Sequence, residues 1–166
     1  MRRYSRRPAI DILVQSPLWD LNPEAKAVLR RAIRKASSVV STQGELSVVR
    51  ADDSAVRTLN RTWRYKDAPT NVLSFPVEST SARRGTPRLL GDIVIAHETT
   101  AREARAQGKS FADHLAHLAV HGFLHLAGYD HVEDDEAEKM ERLEATILAG
   151  LAVPNPYAAP DVSVGR

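Results

Sequence analysis

The 166-residue chain contains no cysteine. That removes disulfides, and it also removes the thiolate ligand most common in structural zinc sites. A reducing compartment is compatible with this composition. No apolar run approaches the roughly 20 residues that a membrane helix needs. Neither sign of charge dominates: 23 Lys and Arg stand against 21 Asp and Glu, a net charge of +2. Whole-molecule charge therefore does not announce a nucleic-acid binder. Internal repeats are absent, and the length suits one domain with one core. Ser5-Arg6-Arg7 resembles part of a twin-arginine export motif, but Asp11 interrupts the apolar stretch that follows and no cleavage site appears. The expectation is a cytoplasmic protein with no membrane segment.

The most informative stretch runs His-Gly-Phe-Leu-His-Leu-Ala-Gly-Tyr-Asp-His from His121 to His131. Residues four apart on a helix share a face, about 6 Å apart along the axis. His121 and His125 so placed can bind one ion from the same side. Gly128 offers a helix stop, because glycine tolerates the left-handed conformation after a last turn. His131 can then return to the same point. Three protein nitrogens and one open position form the usual catalytic arrangement of zinc.

His114 and His117 extend the same helix face. His117 and His125 are about 12 Å apart along the axis, too far to share an ion with ligand bonds of about 2.0–2.1 Å. The pair is therefore His117 with His121 or His121 with His125, and only the second precedes a glycine turn and a third histidine. His114 and His117 read as packed or rim residues, and His97 as a surface or capping residue.

Periodicity places a first strand at residues 9–15, a helix from Pro23 to about Ser37, and a second strand at 45–50. Asp52 or Asp53 caps the next helix, which sends Val56, Leu59 and Trp63 towards the core and ends before Lys66. Residues 72–75 and 89–95 read as strands, separated by a mobile loop over 78–87. A helix over about 98–107 ends at Gly108, and Ser110 caps the histidine helix of residues 111–127. Seven carboxylates between Glu133 and Glu144 open a last helix, where they suit the positive end of its dipole. The expected fold class is α+β, with a small mixed sheet of about four strands flanked by about five helices. Residues 1–8 form a basic arm with Arg2, Arg3, Arg6 and Arg7, and residues 154–166 a loose tail. Arg83, Arg84 and Arg88 make a second basic segment. Such runs attract phosphate backbones, although a solvated surface is their commoner role.

The histidine spacing matches the long zinc signature of metzincin peptidases, except that Gly122 stands where those enzymes place a general-base glutamate. Different chemistry on a similar metal cradle is expected. The stretch resembles the YbeY family of bacterial endoribonucleases and ribosomal RNA maturation factors, whose hallmark His-Gly-x-Leu-His-Leu-x-Gly-Tyr-Asp-His is met in full. Further matching blocks are residues 64–76 (Arg-Tyr-Lys-Asp-Ala-Pro-Thr-Asn-Val-Leu-Ser-Phe-Pro), 90–95 and 133–141. Trp63 and Tyr65 depart from it, standing where tyrosine and glycine are expected.

The resemblance implies one zincin-like domain over residues 9–153 that holds a single Zn2+ on His121, His125 and His131. Its activity would be metal-dependent cleavage of single-stranded RNA, in maturation of the 3′ end of small-subunit ribosomal RNA and in ribosome quality control. Ribosome-associated proteins would be partners. Zinc lowers the pKa of bound water or polarises a phosphoryl oxygen, and either suits a phosphodiester. The resemblance assigns an essential arginine to Arg64, and guanidinium grips phosphate through paired hydrogen bonds. Lys66 and Asn71 are lesser candidates for holding RNA, while Asp67 and Asp92 pair with basic neighbours or brace a loop. Without the glutamate, the proton acceptor is metal-bound hydroxide or His117. A non-catalytic RNA-binding assembly factor with a structural metal is the alternative, and a metallopeptidase the third reading.

Overall fold

A computed structural model describes residues 7–78 and 88–158. Most of the basic arm, all but the first residue of the expected 78–87 loop (Arg83 and Arg84 among them), and the end of the tail lie outside the described residues. The strands are β1 (Ala9–Val14), β2 (Glu45–Ala51), β3 (Val72–Pro76) and β4 (Leu89–Ala96). The helices are α1 (Ala25–Val39), α2 (Asp53–Arg64), α3 (His97–Ala106), α4 (Phe111–Leu126) and α5 (Asp134–Ala149). A short 3-10 turn, Pro17–Leu21, precedes α1. The sheet order is β1-β2-β4-β3. β1, β2 and β4 run parallel, and β3 is antiparallel to β4 at the edge. The expected α+β layout of four strands and five helices is what forms.

β4 is buried almost throughout, as befits a strand covered on both faces. Its alternate side chains divide two cores. Ile93 and Ile95 pack with Leu29 and Ile33 of α1, Leu115, Phe123 and Leu124 of α4, and Ile147 and Leu148 of α5. Val94 and Ala96 face the other way, against Val56 of α2 and Leu73. Among the described residues, no helix is long and apolar enough to cross a membrane.

α4 carries two of the three histidines, and its ends form as its sequence dictates. Ser110 Oγ accepts from the Asp113 amide at 3.0 Å. At the other end Gly128 has φ 99°. Its amide donates to the His125 carbonyl at 3.1 Å, and the Tyr129 amide donates to Leu124 at 2.9 Å. These two bonds reverse the chain and satisfy the last carbonyls. The helix lies close on the sheet at Gly122, where an added Cβ would sit 3.1 Å from Ile93 Cγ2 and 3.2 Å from Ser74 Oγ.

Three expectations are corrected. Trp63 does not enter the core but is 67% exposed. The buried stripe of α2 ends at Asn60, whose amide donates to the Ala68 carbonyl at 2.9 Å. The last turn runs past the packed region. His97 is buried, not superficial: its Nε2 lies 2.7 Å from Asn22 Oδ1, and its ring meets Trp19 edge-on at 5.1 Å. The 3-10 turn that delivers Trp19 makes this pocket. Residues 154–158, expected as the start of a loose tail, bring Tyr157 onto α4 and α5, where its hydroxyl donates to Glu144.

Candidate metal centre and its cleft

One turn of α4 separates His121 from His125, and their Nε2 atoms lie 3.1 Å apart. After the Gly128 reversal, the His131 ring returns to within 5.0 Å of His125 and 5.7 Å of His121, between centroids. One nitrogen from each histidine falls within 4.8 Å of the others. Two nitrogens bound tetrahedrally at 2.0–2.1 Å would be roughly 3.3 Å apart. Three imidazoles converging at this spacing are a donor set that can hold a metal ion.

The protonation states suit that task. The His125 imidazole is held down at about 4, by burial first and then by the neighbouring His121 and His131. It is therefore neutral at physiological pH, with a lone pair to donate. His121 Nδ1 lies 2.5 Å from Oε1 of Glu144. A carboxylate there accepts the Nδ1 proton and leaves Nε2 free to face an ion.

Glu144 itself is fully buried. Its other oxygen meets His117 Nε2 at 3.1 Å and the Tyr157 hydroxyl. Burial pushes this carboxyl up, but the hydrogen bonds from His117, His121 and Tyr157 outweigh it and hold it at about 2. Burial, and then Glu144, raise the Tyr157 phenol. The sequence reading missed Glu144. Its signal was a carboxylate on the apolar stripe of α5, four residues after Met140 and three before Ile147.

Beside the triad lies a cleft of about 740 Å³, lined by His121, His125 and His131 and also by Arg64 and Arg88. Arg64 is the last residue of α2, so a helix end and a helix face meet across this space. Arg88, weighed earlier only as part of a basic run, enters immediately before β4. The same space is lined by Thr70, Asn71 and Ser74.

The remaining expectations separate cleanly. His117 is packed as expected, but as proton acceptor it is misplaced: it does not line the cleft and is tied to Glu144 and Tyr157. His114 is buried and lies 3.0 Å from Glu103. Burial lowers its pKa, against the opposing pull of Glu103. Asn71 reaches the cleft, but its amide donates to Glu103 at 2.9 Å and its oxygen accepts from Val72. Lys66 lies outside the lining. Asp67 pairs with both nitrogens that Arg57 presents, at 2.7 and 3.1 Å, and Asp92 accepts from Ser47 across the sheet. The carboxylates Asp134, Asp135 and Glu136 occupy the first turn of α5.

The family profile described as Endoribonuclease YbeY matches residues 15–152. The chain belongs to the YbeY family. An Endoribonuclease YbeY of Rhodopseudomonas palustris (strain BisA53) is 54% identical over 159 residues, covering 93% of this chain and 92% of that protein. One from Bradyrhizobium diazoefficiens is 50% identical over 157 residues, covering 91% and 86%. The solution structure of TM1509 from Thermotoga maritima superposes with a TM-score of 0.53 at 25% identity, covering 95% of this chain and 99% of that one. The YbeY match spans Arg64, the three histidines and Glu144, and stops short of Tyr157.

Proposed function

We propose that this YbeY-family chain is a zinc-dependent endoribonuclease that cuts single-stranded RNA. Its role would be ribosomal RNA maturation, at the 3′ end of the small-subunit RNA, and ribosome quality control in the cytoplasm. Relatives about half identical over nearly the whole chain carry the name endoribonuclease. The observation that carries the chemistry is Arg64 lining one cleft with His121, His125 and His131.

When bound, a divalent ion supplies Lewis acidity and an activated water at neutral pH. The three imidazoles would hold that ion. Glu144 keeps His121 in the tautomer that presents Nε2. Arg64 is the group to grip a nonbridging phosphoryl oxygen, where negative charge gathers in the transition state. A guanidinium keeps its charge at any working pH, so this contact needs no titration. The peptidase reading gains no support from position 122, where a side chain would point at Ile93 and Ser74.

The test compares cleavage of a single-stranded RNA with metal content by elemental analysis. His121→Ala and His131→Ala should lose both. Arg64→Ala should keep the metal and lose cleavage by a hundredfold or more, on the order of what one transition-state contact supplies. Stoichiometric zinc retained in both histidine variants would overturn the triad, and normal cleavage by Arg64→Ala would remove that residue from the mechanism. RNA bound tightly but never cut by metal-loaded protein would favour the assembly-factor alternative.

A further inference from the structure

Arg64 is flanked by two aromatic residues that the fold does not use. Trp63 is 67% exposed and Tyr65 is 92% exposed. Neither ring makes a hydrogen bond or ring contact among the described residues. Trp19, the chain's other tryptophan, is buried, with its indole nitrogen donating to the Ala51 carbonyl at 2.8 Å. Aromatic residues make up only 5% of the sequence. Two of them in solvent, on either side in sequence of the cleft-lining Arg64, call for an occupant.

The backbone sharpens the point. Tyr65 follows the last residue of α2 with φ 58° and ψ 28°, the left-handed conformation that ends helices. Glycine adopts it freely, whereas a side chain with a Cβ is strained there. A tyrosine held in that conformation, and buried against nothing, gains no packing in return. Strain kept next in sequence to a cleft-lining residue is an argument for function.

The surroundings indicate the occupant. Residues 61–66 read Arg-Thr-Trp-Arg-Tyr-Lys, so rings alternate with cations. Arg61, Arg64 and Lys66 are exposed. The neighbouring carboxylate, Asp67, is engaged by Arg57. Planar rings interleaved with fixed positive charge match a single-stranded nucleic acid, whose bases stack on aromatic faces while its phosphates meet the cations. A duplex hides those base faces within its own stack, and single-stranded RNA displays them.

We infer that Trp63 and Tyr65 form a base-stacking platform that seats unpaired nucleotides beside the phosphate gripped by Arg64. This deepens the nuclease reading and rests on it for the phosphate at Arg64. It also gives that reading a physical source of single-strand preference.

Tryptophan fluorescence of the metal-loaded protein provides the test, because Trp63 is exposed and Trp19 is not. A short single-stranded oligoadenylate, mixed in a stopped flow and read before cleavage, should quench the emission. The same strand in a duplex should quench little, and Trp63→Phe should abolish the signal. Trp63→Ala and Tyr65→Ala should each weaken single-strand binding about five- to a hundredfold, as expected for one lost stacked base. Tyr65→Phe, which keeps a ring, should bind within twofold of the parent. Both side chains lie in solvent, so circular dichroism of the alanine variants should match the parent.

Absent quenching, together with unchanged affinity in both alanine variants, would overturn the platform and leave the rings as a surface for a protein partner. Equal quenching by duplex would overturn the single-strand preference it supplies. The two readings fail separately. Cleavage at the parental rate with both rings removed sinks only the platform, whereas ring-dependent binding without any cleavage sinks only the nuclease.

Discussion

Glu144 is not among the converging imidazoles of the candidate metal centre, but it is tied to that centre through His121. It is buried and negative, and it takes hydrogen bonds from His121, His117 and Tyr157. Replacing it with glutamine preserves shape but removes the charge that favours a proton on His121 Nδ1. Partners of this kind typically change metal affinity 10- to 100-fold. Glu144→Gln should therefore weaken zinc by about that factor in competition with a chromophoric chelator; affinity within threefold of the parent would dismiss the role. Gly122 gives a second residue-scale expectation. An alanine Cβ would crowd Ile93 and Ser74 at 3.1 and 3.2 Å. Overpacking of this kind costs about 1–3 kcal/mol, so Gly122→Ala should lower the urea midpoint without changing the slope. An unchanged midpoint would mean that α4 has room to move. What was legible in the sequence was what lies within one element and its turn, such as His121, His125, Gly128 and His131. Glu144 is 23 residues from His121, and Asn22 is 75 from His97. Neither pairing is visible until helices and sheet are assembled.

Helix ends govern the elements. Ser110 and Gly128 could be read directly and the cap of α2 narrowed to Asp52 or Asp53, of which Asp52 forms it, because a cap needs only three or four neighbouring residues. Trp63 misled, because it continues the apolar spacing of Val56 and Leu59 onto a turn that overhangs the core. Periodicity shows which face a residue occupies and is blind to where the opposite layer stops. The end of α2 yields a prediction. Tyr65→Gly relieves the left-handed strain, worth roughly 1–2 kcal/mol, so its unfolding midpoint should rise while single-strand affinity falls. A midpoint that falls would show that the tyrosine ring contributes packing. The end of α4 behaves in the opposite sense. Gly128 holds φ 99°, and Gly128→Ala should cost more than about 1 kcal/mol. Because that turn aims His131, zinc affinity should fall with stability. Loss of stability at unchanged affinity would separate the turn from the site.

At the scale of the whole molecule, acid should act on the metal-free protein first through half-buried His125, together with the buried His97 and His114 that burial also holds down, and then through buried Glu144. His125 is held down from 6.5 to about 4, so the folded state binds fewer protons than the unfolded chain in that window. Linkage then makes stability decline as pH falls from about 6.5 towards 4, and remain lower below it. Glu144 is held down from 4.5 to about 2. Its contribution is complete above 4.5 and is lost as pH falls through 2. The two windows overlap between about 4.5 and 4, so the melting temperature of metal-free protein should slide continuously from pH 6.5 downwards without an intermediate plateau. Zinc held by the three imidazoles would raise stability only while they are unprotonated, because protons and metal compete for the same lone pairs. The added stability should therefore fade over the same upper window, with metal-loaded and metal-free curves converging as pH approaches 4. Calorimetric scans at fixed ionic strength, with and without zinc, follow both curves. A metal-free melting temperature that is flat between pH 6.5 and 4 would mean that neither His125 nor the buried His97 and His114 is held down. A half-buried, neutral His125 among the three converging rings would then be the wrong description of the folded chain.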